Sequence, residues 1–134
     1  MVRGAGAVRK PMPTVLLVDD SAVARRALCA RLVSQGFEVR EAASVQAARA
    51  IELTAVTCAI LDLQLGDGDG TDLAAAIHAK RPGLPLAFFT AGAIPSLVET
   101  ARGRGPVFLK PDLGPLLTWI GRFVRPGSQP PPTK

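Results

Sequence analysis

Two cysteines, one histidine, no tyrosine and no long apolar run are the scarcities of this 134-residue chain. Cys29 and Cys58 fall in a predicted helix and a predicted strand. They read as small buried hydrophobes of a reducing cytoplasm, which excludes a disulfide framework. No apolar stretch approaches the roughly 18 residues of a membrane span. The first 13 residues carry Arg3, Arg9 and Lys10 but no apolar core, so they are not a secretory signal. The lone His78 has no partner motif and is expected to be an exposed helix residue.

The net charge of +5 raises nucleic acid as a partner. Its location argues against that. Residues 1–13 hold three basic groups, and Arg125 and Lys134 lie at the other end, with no acid in either stretch. The body between them is balanced. Dedicated nucleic-acid binding is therefore not expected, beyond a weak, salt-sensitive attraction to polyanions. Residues 1–13 and the Pro-rich 126–134 read as disordered tails around one domain, 14–125.

Within that domain strand and helix patterns alternate five times. Strands are expected near 14–19, 37–41, 58–61, 85–90 and 107–109. Ser21 should cap a first helix to about Gln35, with Gly36 just past its end, and Ser44 a second to about Leu53. A third helix is expected to begin at Asp72, read as its N-cap, and to end before Arg81. A short fourth starts at Pro95 and closes by Gly103. Asp112 should cap a fifth whose stripe is Leu113, Leu116, Leu117, Ile120 and Val124. Such alternation gives an α/β fold, a five-stranded parallel sheet with helices on both faces; the doubly wound order expected for it is the flavodoxin-like 2-1-3-4-5.

Four strands run into polar residues at their carboxyl ends, where ligands of open α/β sheets sit. These are Asp19-Asp20, Asp62, Thr90 and Lys110-Pro111. Carboxylates at about 4 Å repel by roughly 4 kcal/mol at an effective dielectric near 20. A hard, water-keeping divalent cation, Mg²⁺ before others, would relieve that. With Lys110 as a fixed positive charge and Thr90 as a hydroxyl donor, the site is suited to a transferring phosphoryl group, with Asp62 as nucleophile. Asp67 and Asp69 do not make a calcium loop, because the Gly and Glu offsets are missing. A haloacid-dehalogenase-type phosphatase needs an Asp two residues past its nucleophile; Asp20 is followed by Ser21 and Ala22.

Asp19-Asp20, Asp62 with Asp69-Gly70, Thr90-Ala91 and Lys110-Pro111 together resemble the receiver domain of two-component response regulators. The resemblance implies that Asp62 accepts phosphate from a sensor histidine kinase or a histidine phosphotransfer protein. It implies Mg²⁺ held by Asp20, by Asp19 mostly through water, by Asp62 and by the backbone carbonyl of Gln64. Thr90 and Lys110 would contact the phosphoryl oxygens, Ala91 would keep the entrance small, and the Lys110-Pro111 bond would be cis. A stand-alone cytoplasmic signalling module, not an enzyme, is expected. It would act on a downstream protein through the face of helix 4, strand 5 and helix 5. A poorly phosphorylated, constitutive binding module is the alternative. Four features depart from the pattern. Gly66 replaces a usual Pro, which should loosen the loop after Asp62. Gly92 offers no side chain, only 20 positions separate Thr90 from Lys110, and Val107 stands where the family carries a switch aromatic. Phe108 should point to the opposite face.

Overall fold

The computed structural model describes residues 12–92 and 94–123. Both expected tails lie almost wholly outside these residues, as does Val124. β1 (Thr14–Val18), β2 (Glu38–Ala42), β3 (Cys58–Leu61), β6 (Leu86–Thr90) and β7 (Val107–Leu109) form one sheet in the order β2-β1-β3-β6-β7, with every pair parallel. Counting these five alone, that is the expected 2-1-3-4-5. β4 (Gln64–Leu65) and β5 (Gly68–Asp69) form a small antiparallel hairpin in the loop after Asp62, which the pattern reading did not anticipate.

Among the described residues five helices follow the strands: α1 (Ala22–Ser34), α2 (Val45–Arg49), α3 (Gly70–Lys80), α4 (Pro95–Arg102) and α5 (Leu113–Gly121). Period-two alternation in β1, β3 and β6 sends side chains to two separate cores. Leu16, Val18, Ala59, Leu61 and Phe88 pack with Ala48, Leu73, Ile77 and Ala101 of α2, α3 and α4. Val15, Leu17, Ile60, Ala87 and Phe89 pack with Leu28, Leu32, Leu116 and Ile120 of α1 and α5. Leu32 and Leu116 are fully buried, so truncating either to Ala should cost about 2–5 kcal/mol. Val107 joins the first core and Phe108 the second, so the two residues do face opposite ways.

The helix ends follow from capping. Ser21 Oγ accepts from Ala24 N, and Ser44 Oγ accepts from Ala47 N, as expected. Gly36 has φ +99°, the left-handed conformation a residue past a helix end adopts. Two boundaries need correction. α2 stops at Arg49, because Ala50 N turns back to Ala47 O and Leu53 is buried beyond the helix. The N-cap of α3 is Asp69, not Asp72: Asp69 Oδ1 accepts from Asp72 N at 2.9 Å, which puts Asp72 in the first turn. Either Asp suited the role chemically, and the Asp69-x-x-Asp72 spacing was the signal that favoured the earlier one.

His78 is also corrected. It is half-buried on α3, with Nε2 2.9 Å from the Leu84 carbonyl and Nδ1 3.2 Å from Arg104 Nη1. Cys58 is buried and Cys29 half-buried, both free. Burial pushes the Cys58 thiol up to about 12, so it is an inert core side chain. Trp119 is a half-buried edge of the second core, 5.0 Å from the Phe123 ring in a T-shaped contact and 6.5 Å from that of Phe108.

Candidate functional site

The parallel register sets the carboxyl ends of β1, β3, β6 and β7 side by side, since Val18 pairs with Leu61 and Thr90 with Leu109. The residues that follow are therefore brought to one edge. Asp19 and Asp62 are buried there, with 4% and 7% exposure, while Asp20 is open to solvent. One oxygen from each of the three lies within 4.8 Å of the others. This donor set is all hard oxygen, which suits a cation of the Mg²⁺ or Ca²⁺ kind.

Two buried carboxylates side by side need compensation. Lys110 supplies it: Nζ lies 2.7 Å from Asp19 Oδ2 and 2.9 Å from Asp62 Oδ2. Burial alone would push the Lys110 ammonium down, but hydrogen bonds to Asp19 and Asp62 outweigh it and hold the group above its usual range. Asp62 Oδ1 accepts from the Thr90 hydroxyl at 2.8 Å and from the Gln64 amide at 3.2 Å. Asp19 Oδ1 accepts from Ser21 N at 2.9 Å, so both Asp19 oxygens are engaged. The Lys110-Pro111 bond is cis, as expected.

All the side chains singled out from the strand ends thus converge: Asp19, Asp20, Asp62, Thr90 and Lys110. Gln64 is exposed on β4, and Ala91 is exposed at the start of the loop after β6. Two supporting groups escaped the sequence reading. Arg25 Nη1 donates to the Asp19 carbonyl at 2.7 Å, while its Nε donates to Glu41 Oε1 at 3.0 Å. Arg25 thereby ties α1 to the backbone of the acidic pair. A basic residue one turn into the helix after Asp19-Asp20 was the available hint. The second is Asp67, whose carboxylate accepts from Val45 N at 2.8 Å and Gln46 N at 3.0 Å, 22 and 21 residues away. Nothing in the local pattern announces that contact.

Close backbone approach completes the pocket. A Cβ at Gly70 would stand 2.2 Å from the Asp62 carbonyl oxygen, which admits only glycine there without a shift of backbone. The Asp69-Gly70 pair is thus explained twice, by a cap and by a contact.

Residues 15–107 match the family model described as the response regulator receiver domain. The chain is 36% identical over 90 residues to the transcriptional regulatory protein GlrR of Escherichia coli, covering 66% of this chain and 20% of that protein. It is 33% identical over 92 residues to the photosynthetic apparatus regulatory protein RegA of Rhodovulum sulfidophilum, covering 67% of this chain and 50% of that one. The chain therefore spans between a fifth and half the length of these curated relatives. Among solved structures, a response regulator receiver protein from Pseudomonas putida superposes with a TM-score of 0.75 at 30% identity, over 85% of this chain and 99% of that one. A CheY-like receiver domain from Methanospirillum hungatei gives 0.77 at 28% identity, over 84% and 93%. Among the described residues no helix is long and apolar enough to cross a membrane. With the sheet order, the acidic pocket and the matched residues in agreement, the chain belongs to the response regulator receiver domains, the signalling modules of two-component systems.

Proposed function

We propose that Asp62 is a phosphoacceptor, charged by the phosphohistidine of a sensor histidine kinase or a histidine phosphotransfer protein. The observation that carries this reading is the Asp62 carboxylate, buried but reachable at the sheet edge. Its two oxygens are held by Thr90 and Lys110 from other strand ends. In the transfer, an Asp62 oxygen bonds to phosphorus as the phosphorus–nitrogen bond breaks. The bonding pair stays on the imidazole nitrogen. Lys110 and Thr90 already lie at hydrogen-bonding distance from the attacking carboxylate, so they orient it and stand ready for the phosphoryl oxygens. Ala91 and Gly92 leave the entrance uncrowded, since a Cβ at Gly92 would meet nothing within 4 Å.

Asp20 with Asp62, the Gln64 carbonyl and, through water, Asp19 would hold Mg²⁺. When bound it would neutralise part of the negative charge on the carboxylates and on the phosphoryl oxygens. The receiver domain is proposed as residues 14–125 of a cytoplasmic signalling chain acting by protein–protein contact. Its output face would be that of α4, β7 and α5, where Ile94 and Leu109 are exposed apolar side chains.

Intact mass after incubation with Mg²⁺ and acetyl phosphate tests the reading. One phosphoryl increment is expected, lost slowly, and Asp62→Asn should abolish it while preserving the folding stability within about 1 kcal/mol. An Asn variant that still takes one acid-stable, base-labile phosphate would show that Asp62 is not the acceptor. No adduct on the wild type would favour a constitutive binding module, and repeated turnover of phosphoesters would favour a phosphatase.

A further inference from the structure

We propose that Asp67 is a positioning residue for the chemistry at Asp62: its carboxylate clamps the acceptor loop to the start of α2. The proposal rests on the phosphoacceptor reading and adds to it a residue outside the convergent strand ends.

Asp67 stands at the tip of the β4–β5 hairpin, and its two oxygens accept from Val45 N and Gln46 N, the first two amides of α2. Ser44 Oγ takes the next, Ala47 N. A helix of five residues cannot hold itself together, so these bonds fix where it begins. The same bonds fix the loop. A Cβ at Gly68 would meet Val45 Cγ2 at 3.2 Å, so the hairpin lies directly against α2. Leu65, between the tip and Gln64, is buried in the core that includes Ala48.

The hairpin also touches the acidic pocket, at Gln64 and at Gly66 beside the tip. Gln64 N donates to Asp62 Oδ1, and a Cβ at Gly66 would lie 3.8 Å from Asp20 Oδ2. Gln64 pairs with Asp69 and Leu65 with Gly68, so moving the tip moves the residue that orients Asp62. Gly66 leaves this loop without the φ restraint a proline would impose. A two-point bond from the very next residue supplies restraint by another route. Acceptance from the Gln46 amide, then from that of Val45, holds the Asp67 carboxyl below its usual range, so the clamp is ionised throughout the neutral range.

A residue that merely caps α2 would behave differently from one that positions the site. Ser44→Ala weakens the same helix end without touching the loop, and separates the two. The full chain is labelled with acetyl phosphate over a Mg²⁺ series, with melts and amide exchange at Gln64 followed in parallel. Asp67→Ala should weaken the apparent Mg²⁺ affinity for labelling about tenfold, the low end for residues that orient metal ligands. It should also speed exchange of the Gln64 amide. Asp67→Asn keeps one acceptor oxygen and should fall between Ala and wild type. Ser44→Ala should lower the melt but leave the Mg²⁺ dependence as in wild type. Wild-type behaviour of Asp67→Ala, or an equal loss in Ser44→Ala, overturns the inference while the phosphoacceptor reading stands. A wild type that takes no label overturns both.

Discussion

The loop after β3 and the loop after β6 leave the same edge of the sheet, and both follow a side chain of the acidic pocket, yet they are held very differently. Residues 62–70 are tied by the Gln64 amide to Asp62, by Asp67 to α2, by Asp69 to α3, and by Gly70 N to the Leu63 carbonyl at 2.8 Å. After Thr90, by contrast, Ala91 and Gly92 are exposed, and α4 begins at Pro95 with no side-chain bond from its cap residue, Ile94. The glycine count would have ranked them the other way, since the first loop contains Gly66, Gly68 and Gly70. What decides is the supply of carboxylates able to accept backbone amides. The loosening expected from Gly66 is countered by bonds from its neighbours.

The largest effect that would test the contrast lies at the pocket both loops share. Lys110→Met leaves Asp19 and Asp62 buried together without their cation, and should cost about 3 kcal/mol in Mg²⁺-free buffer. Because the folded-state value of Lys110 is raised, its contribution is complete below the ordinary lysine value, near 10.4. It disappears as pH climbs through the raised value. Chemical melts of wild type and variant should stay apart at neutral pH and converge only under strong alkali. A gap that closes between pH 7 and 9 would contradict the geometry.

Next comes a paired substitution. Gly70→Ala forces a Cβ onto the Asp62 carbonyl and should destabilise by about 2 kcal/mol, whereas Gly92→Ala enters open space and should stay within about 0.5 kcal/mol. Equal midpoints for the two would erase the distinction between the loops.

Mg²⁺ should have a smaller effect. At ten times its dissociation constant it would add about 1.4 kcal/mol by mass action, raising the wild-type melting temperature. Asp20→Ala should abolish that rise, and a wild type indifferent to millimolar Mg²⁺ would refute the cation site.

The subtlest test concerns which loop responds when the acceptor is filled. Val107 is β-branched and small, so its rotation can report little. With a beryllofluoride mimic, NMR shifts should concentrate in residues 91–105, with 64–69 changing less and the coupling of order 1–3 kcal/mol. Shifts centred on Val107 and Phe108, with 91–105 silent, would reverse the comparison.

Much of this was legible because apolar runs ending in Asp, Thr or Lys are local signals. The strands, the helix faces and the convergence of Asp19, Asp20, Asp62, Thr90 and Lys110 followed from them, while the strand order rested on the fold type. The supports were not. The β4–β5 hairpin is two residues per strand, too short for any period to show. Arg25 and Asp67 act on backbone groups, and a carbonyl or an amide has no letter in a sequence. Arg81, whose Nη1 donates to the Leu53 and Val56 carbonyls at 2.7 Å, escaped for the same reason. His78 was misplaced because its partner is again a carbonyl, that of Leu84.

The ion pair between Lys110 and Asp19 closes a separation of 91 residues, from the first strand of the sheet to the last. During synthesis the acidic residues emerge early, but the ammonium that makes their burial tolerable arrives only when β7 has been added at the sheet's edge. Until then Asp19 and Asp62 lack the lysine ammonium that compensates their burial. A chain that ended before β7 would lack that ammonium, leaving the repulsion between Asp19 and Asp62 uncompensated by any lysine of the sheet edge. The charge balance of the pocket therefore depends on the whole sheet having been built, from β1 to β7.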